Sequence, residues 1–382
     1  TGQEINIGSP EQVSGLLFDY LKLIPPKVHG KIPLTEKGYV STDSHTVLDE
    51  MEFNPVIEAV QEYRTYEKLL AYTTALQEIH PVSGKIHTHF NQDRARSGRL
   101  SSSDPNLQNI PVRADLGKLI RSAFVASPGR LILRGDYDQM ELRVETSLSN
   151  DPVKTEIYSR DGDLHGEQAV KFFGSRDDYE KNKGTYRKKT KSGIFGKLYR
   201  GTYKTLSAAM GLPIPETKEF IRWYDRTFKA SEQYYQDTVQ ELHSLGYCVT
   251  LFGRKRHLPN LASTRSVFVR AAEREGYNMK MQGTCADLMK RAMIEIARRM
   301  EMCHLQSVMV IQVHDELIFD AVPSEIPQLS QIVSDAFSNA PELSIPMKAK
   351  LSVGHNWLDA EDHPIRLAID EVDVVRALMG GH

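Results

Sequence analysis

The sequence predicts an α+β fold in which an antiparallel sheet carries a mainly helical insertion. Two observations lead there. The short apolar runs Leu131-Ile132-Leu133, Val308-Met309-Val310-Ile311 and Leu317-Ile318-Phe319 have the length and make-up of buried strands. Between the first run and the other two, residues 151–245 and 264–303 read as mostly helical. In chain order, residues 10–23 and 53–79 read as helices, and 84–90 and 99–101 as a pair of short strands. Strand 131–136 then feeds a helix over 139–148. A short β turn lies near Tyr247–Pro259, and the helix over 264–303 is expected to break near Gly283. Residues 307–322 read as strand, turn and strand, followed by a helix and a last strand. No internal repeat or low-complexity segment is visible.

The 382 residues are 40% hydrophobic and 26% charged, an ordinary globular balance with room for two or three lobes. The net charge of −2 does not by itself point to a polyanionic partner, but charge is locally segregated. Residues 181–204 hold nine Lys or Arg and no acid, whereas 359–373 is acid-rich. Cys248, Cys285 and Cys303 are too few and too scattered for a disulfide framework or a zinc site, so a reducing compartment is expected. No apolar run is long enough to span a membrane and no signal peptide is visible.

Two of the strand runs deliver carboxylates. Leu131-Ile132-Leu133 leads to Asp136, and the 308–311 run leads to Asp315. A carboxylate beside a buried strand must be hydrogen-bonded, paired or bound to metal. A lone one is ordinarily a turn or helix cap; two, brought together by folding, suit a pair of Mg²⁺ ions that moves a phosphoryl group. Within the basic run, Arg187, Lys191, Phe195 and Tyr199 recur every fourth residue. Each lies about 40° round a helix from the last, so all four share one broad face. Two cations and then two aromatics suit a triphosphate at one end and a base at the other. Gly193 and Gly196 lie inside that helix, where something must approach the backbone closely.

These segments together resemble the family A DNA polymerases, the bacterial DNA polymerase I type. Asp136-Tyr137-Asp138-Gln139-Met140-Glu141-Leu142-Arg143 is similar to the family's Asp-Tyr-Ser-Gln-Ile-Glu-Leu-Arg. The basic helix resembles its Arg-x₃-Lys-x₃-Phe-Gly-x₂-Tyr, and Val313-His314-Asp315-Glu316 its Val-His-Asp-Glu. Phe90-Asn91-Gln92, the stretch Ser97–Pro111, Leu251-Phe252-Gly253-Arg254, Gln282-Gly283-Thr284 and Ala286–Lys290 agree as well, in the family's order, from about residue 5 to 360.

The resemblance implies a right-hand polymerase fold with an antiparallel-sheet palm, mainly helical fingers and a truncated thumb. Its parts would be residues 1–80 (residual thumb and connection), 81–155 (palm, first aspartate), 156–268 (fingers, nucleotide helix 187–201), 269–362 (palm, second aspartate) and a 363–382 tail. It implies template-directed addition of deoxynucleoside triphosphates to a primer 3′-hydroxyl through two Mg²⁺ ions, with Mn²⁺ as a substitute. Asp136, Asp315 and the Tyr137 carbonyl would hold the metals. Arg187 and Lys191 would grip the triphosphate, Lys191 as candidate acid, with His165 also on the phosphate side and Gln139 in the nucleotide site. Phe195 would pack on the sugar, Glu141 would exclude a ribose 2′-hydroxyl, and Tyr199 would stack on the template side. Arg99, Gln108, Asn109, Arg274, Gln282 and His314 would touch primer-template DNA. Arg274, Asn278 and Gln282 are spaced to share one helical face, and minor-groove acceptors common to all base pairs would let them sense pairing shape without reading sequence.

Departures from the pattern are informative. Asp138 replaces the usual Ser, as added charge near the metals or as an N-cap for 139–148. Arg200 stands where Gly usually follows the helix's Tyr, and Ile194 where Asn is common. A proofreading domain and the first thumb helix do not fit within this sequence. No intrinsic proofreading is therefore expected, and a separate chain supplying thumb, exonuclease or processivity function is an expected partner. Ile365, Ile369, Val372, Val375 and Met379 follow helical spacing and predict an amphipathic tail helix. The expected location is cytoplasmic, at a nucleoid or in a phage-infected cell, with an organelle as the other setting. The rival functions are a single-subunit RNA polymerase, which Glu141 opposes, and a silent DNA-binding subunit, which Asp136, Arg187, Lys191 and Asp315 oppose.

Overall fold

The computed structural model describes residues 4–27, 32–44, 47–51, 54–110, 115–174, 176–362 and 364–365. The chain forms two compact units, one of residues 1–88 with 110–120 and one of 89–109 with 121–382.

In the first unit, α1 (Pro10–Ser14) runs into a π-helical turn, Gly15–Tyr20, and α2 spans Pro55–Ala75. The helix expected over 10–23 therefore stops at Tyr20, where the Leu21 N–H closes on the Leu16 carbonyl. Asn54 caps α2 by accepting the Val56 N–H at 2.9 Å, and Pro55 sits where its missing N–H costs nothing. Val13, Leu17, Val47, Leu48, Ile57 and Val60 form this unit's buried core.

The second unit begins with β1 (His89–Asn91) paired antiparallel to β2 (Ser101–Ser103), slightly beyond the strands expected at 84–90 and 99–101. After α3 (Asp115–Ser122), most of which belongs to the first unit, come β3 (Leu131–Tyr137), α4 (Met140–Ser149), α5 (Pro152–Ser159) and α6 (Leu164–Phe173). Then follow α7 (Arg176–Leu198), α8 (Tyr203–Met210), α9 (Ile214–Thr227), α10 (Lys229–Leu245), and a hairpin of β4 (Tyr247–Val249) and β5 (Lys255–His257). The chain continues through α11 (Ser266–Met302), β6 (Val308–Val313), β7 (Glu316–Ala321), α12 (Ile326–Ser338), β8 (Ala349–Gly354), α13 (Trp357–Asp362) and β9 (Pro364–Ile365). The main sheet is antiparallel with order β6-β7-β3-β8-β9, as the sequence predicts of a palm.

Alternation along β3 decides which way the chemistry faces. Leu131, Leu133 and Tyr137 bury into a core with Leu288 and Ile296 of α11 and Val333 and Phe337 of α12; Tyr137 stacks on Phe337 at 3.9 Å. Ile132, Arg134 and Asp136 therefore point to the opposite face. Asp136 lies directly across from Glu316 on β7 and Lys350 on β8, so three charged residues form one row on that face.

Two expectations about helices change. The N-cap of α4 is Gln139, left-handed at φ 53°, and not Asp138. Helix α11 runs unbroken through Gly283, because glycine there answers packing: a Cβ would stand 2.5 Å from Thr250 Cγ2. Gly193 and Gly196 on α7 serve the same end. Their added Cβ atoms would meet Phe220 of α9 at 2.6 Å and Leu206 of α8 at 2.8 Å, so it is neighbouring helices that approach the backbone. Ile194, in place of Asn, is fully buried in that helical core. Helix α7 is kinked at Asn182, upstream of Arg187. The tail helix expected over 363–382 lies outside the described residues apart from β9. Among the described residues no helix is long and apolar enough to cross a membrane, and Cys248, Cys285 and Cys303 are free thiols.

Candidate active site

Folding brings the two aspartates together through the backbone. The turn between β6 and β7 carries His314 at φ 52° and then Asp315, whose carbonyl accepts the Tyr137 N–H at 3.0 Å. Burial above all pushes the Asp136 carboxyl up to about 7; Arg134 opposes this, while neighbouring Asp315 and Glu316 add to it. Asp315 is also raised, by burial first, with Glu141 and Glu316 contributing. Arg134 compensates in part. It bonds Glu316 Oε2 through Nε at 2.7 Å and NH2 at 2.6 Å, and reaches Asp136 Oδ2 at 3.1 Å. Trp357 Nε1 donates to the other Glu316 oxygen at 2.8 Å.

Crowded, desolvated carboxylates with oxygen-only donors fit hard divalent cations. Among the described residues no cluster of three or more His, Cys, Asp or Glu side chains is arranged to hold a metal alone. Asp136, Asp315 and the Tyr137 carbonyl thus make an incomplete set, which a bound triphosphate and water would complete. A pH effect follows. The raised Asp136 keeps, in the folded chain, a proton that the unfolded chain releases near 4. Its contribution to metal-free stability is full below about 4 and is lost as pH rises through about 7. Melting of metal-free protein is expected to show this decline between those values, and Asp136→Asn to flatten it; an Asn variant with the wild-type slope would refute the assignment.

Asp138 is neutralised. Arg143 NH2 meets it at 3.1 Å, Lys350 Nζ bonds its other oxygen, and Gln139 Nε2 donates to it at 3.3 Å. Burial works against its charge, yet Lys350 and Arg143 outweigh burial and hold the carboxyl below its usual range.

The basic helix lies near enough for Arg187 to feel the charge of Asp138. Arg187 forms a two-pronged bond to Asp163, at 2.7 and 3.0 Å, and Lys191 Nζ lies 6.0 Å from the Phe195 ring. His165 is buried with neither ring nitrogen bonded to protein, and burial, then Arg187, lowers it to about 4. It is therefore neutral near pH 7 and can donate or accept. Phe195 lies 5.9 Å from His165 and 6.3 Å from Tyr199. The Tyr199 hydroxyl donates to one Glu141 oxygen, and Arg99 binds the other at 2.5 Å. Gln139 accepts the Tyr158 hydroxyl at 3.3 Å. The helix expected over 187–201 ends at Leu198, and two residues past it Arg200 adopts φ 58°, a conformation that costs a side-chain-bearing residue about 1–2 kcal/mol.

The residues expected to meet a duplex are placed variously. Arg274 and Gln282 are half-buried on α11, while Asn109 and His314 are exposed. Gln108 is buried, its amide donating to the Gln312 carbonyl at 3.1 Å and to Gln312 Oε1 at 2.8 Å. A hollow of about 620 Å³ is lined by Arg254, Lys255, Lys290 and Arg291, with Asp287 as its one acid. Sequence reading assigned no role to this hollow, nor to Arg134, Glu316 and Lys350. Arg134 was detectable from strand alternation, two residues before Asp136; Lys350 carries no motif and becomes visible only through strand pairing.

Comparison with known proteins bears on the whole arrangement. The family model for DNA polymerase family A matches residues 1–359. The thermostable DNA polymerase I of Thermus aquaticus is 37% identical over 364 residues, covering 94% of this chain and 42% of that protein. DNA polymerase I of Geobacillus stearothermophilus is 38% identical over 365 residues, covering 94% and 40%. The chain thus spans less than half the length of these curated relatives. Among solved structures, the POL domain of Pol1 from M. smegmatis, in complex with DNA primer-template and dNTP, matches at TM-score 0.84 and 33% identity, covering 94% of this chain and 62% of that one. With the family model matching nearly the whole chain and a solved polymerase domain sharing its fold, this chain belongs to DNA polymerase family A.

Proposed function

We propose that this chain carries out template-directed DNA synthesis, adding deoxynucleoside triphosphates to a primer 3′-hydroxyl. The observation that carries the reading is the Tyr137–Asp315 backbone bond, which sets two desolvated carboxylates side by side on a face shared with Glu141 and Arg99. The solved relative bound to DNA primer-template and dNTP supports the same two partners here.

Asp136, Asp315 and the Tyr137 carbonyl would hold two Mg²⁺ ions. When bound, these would supply Lewis acidity at the reacting oxygens and neutralise phosphate charge. Arg187, on leaving Asp163, would clamp the triphosphate bidentately, and Lys191 would protonate the departing pyrophosphate oxygen. Neutral His165 would donate to a phosphate oxygen. Gln139 lies in the nucleotide site. Phe195 would pack on the sugar and Tyr199 would stack on the template side. Arg99, Asn109, Arg274, Gln282 and His314 would line the duplex, with Gln108 fixing the 312–314 segment from beneath. The Arg254–Arg291 hollow, lined by four cations, would add backbone phosphate contacts.

Glu141 would exclude ribonucleotides, because an added 2′-hydroxyl would meet a carboxylate already filled by Tyr199 and Arg99. Glu141→Ala is expected to raise ribonucleotide incorporation relative to deoxynucleotide about 10–100-fold. Primer extension with purified chain, with Mg²⁺, with Mn²⁺ and with neither, tests the reading. Deoxynucleotide addition that needs template and divalent ion is expected; no extension under any of these conditions would sink it.

A further inference from the structure

Arg200 has no part in the chemistry above, yet it ties the chain just past α7 to the start of α10. Its guanidinium is buried, stacked 3.7 Å from the Tyr235 ring and 4.9 Å from that of Tyr277. It ion-pairs with Glu232 and donates to the Ser231 carbonyl at 3.3 Å. Lys197, on the last turn of α7, reaches Glu232 at 3.9 Å. From the other side, Lys154 Nζ donates to Ser231 Oγ at 2.8 Å and to Glu145 of α4 at 2.7 Å. Ser231 and Glu232, in the first turn of α10, therefore anchor both the end of α7 and the middle of α4. Just past the end of α7, the Tyr199 hydroxyl holds Glu141 of α4, so the two anchored segments meet there. The arrangement departs from the family's pattern, in which glycine follows the helix's Tyr. Here the chain accepts a left-handed arginine and gains a rigid, forked anchor at that point.

We propose that Arg200 is a specificity-determining positioning residue: by clamping the end of α7 to Ser231–Glu232, it fixes where Tyr199 holds Glu141 and so how strictly the site excludes a ribose 2′-hydroxyl. The proposal rests on the polymerase reading.

Arg200→Gly removes the clamp and suits the backbone conformation. The ratio of kcat/KM for deoxy- over ribonucleotides is expected to fall about tenfold, chiefly through a lower ribonucleotide KM, with deoxynucleotide kcat within about threefold of wild type. Arg200→Lys keeps the charge but loses fork and stacking, so it should restore only part of the selectivity. Glu232→Gln should act in the same direction and add little to Arg200→Gly, since both break one contact. In a Glu141→Ala background, Arg200→Gly should change selectivity hardly at all. Selectivity within twofold of wild type in both Arg200→Gly and Glu232→Gln overturns the proposal. Amide exchange supplies a readout that needs no synthesis: Tyr199 and Gly201 amides should exchange about tenfold faster in Arg200→Gly. Unchanged exchange overturns the clamp, whereas a wild-type chain that makes no DNA defeats the polymerase reading and leaves this measurement standing.

Discussion

Asp136→Ala is expected to cut nucleotide incorporation about a thousandfold or more while leaving primer-template affinity within a few-fold of wild type. The size follows from what the side chain would do. Divalent ions held at Asp136 and Asp315 would stabilise charge at the reacting oxygens by several kcal/mol, and each 1.36 kcal/mol is a factor of ten in rate. The sparing of DNA affinity follows from location. Asp136 lies in a charged row with Glu316 and Lys350, whereas the expected duplex contacts Arg274 and Gln282 lie on α11 and the basic hollow is lined from the β4–β5 hairpin and α11. Removing a carboxylate also lowers negative charge, so any change in affinity should be a gain. The variant leaves Glu316 still bonded to Arg134 and Trp357, so the sheet should hold. Single-turnover extension at saturating nucleotide, alongside binding of a labelled primer-template, separates the two effects. An Asp136→Ala protein that incorporates within tenfold of wild type would remove this residue from the metal site.

How much of this was legible beforehand depended on whether a residue's role is local or made by pairing. The strand before Asp136 and the turn at Asp315 announce themselves as apolar runs ending in acid, and both are where they were expected. The shared face of Arg187, Lys191, Phe195 and Tyr199 is a matter of helical period; α7 supplies the first three, and Tyr199 follows one residue past its end, its N–H still bonded to the Phe195 carbonyl. Period says nothing about neighbours, however. Gly193 and Gly196 signalled a close approach to the backbone without saying of what, and it is the packing of α8 and α9. Asp138 looked like a metal-side charge or a cap; Lys350, more than two hundred residues away in the chain, holds it instead. Gly283 looked like a break because glycine weakens helices, but a side chain there would collide with Thr250, so tertiary packing overrides propensity. Arg200 was visible as a departure from a pattern, while its partners Ser231, Glu232, Tyr235 and Tyr277 could be learned only from the folded chain.

The largest stability effect is expected at Lys154. Its ammonium and the Glu145 carboxylate are 0% and 1% exposed and 2.7 Å apart. Burial opposes the charge, but Glu145 outweighs burial and keeps Lys154 protonated. Tyr224 and Ser231 take further hydrogen bonds at 3.2 and 2.8 Å, and the Phe228 ring lies 4.8 Å from Nζ. The pair thereby joins α4 and α5 to α9 and α10, where no water can replace a lost partner. Lys154→Met fills the volume but strands a buried carboxylate, an imbalance that costs about 3–5 kcal/mol. Glu145→Leu alone should cost a similar amount by stranding the ammonium. The double variant Lys154→Met/Glu145→Leu leaves neither charge, so it should recover most of the loss, since an apolar pair of similar volume is often as stable as a buried ion pair. Denaturant unfolding of all four proteins gives the coupling directly. If the two single changes were simply additive in the double variant, the ion pair would be no more than two separately solvated charges, and the burial on which this expectation rests would be wrong. Because α4 also carries Glu141, the double variant distinguishes stability from selectivity: it should regain the former and, lacking the Lys154–Ser231 tie, should not fully regain the latter.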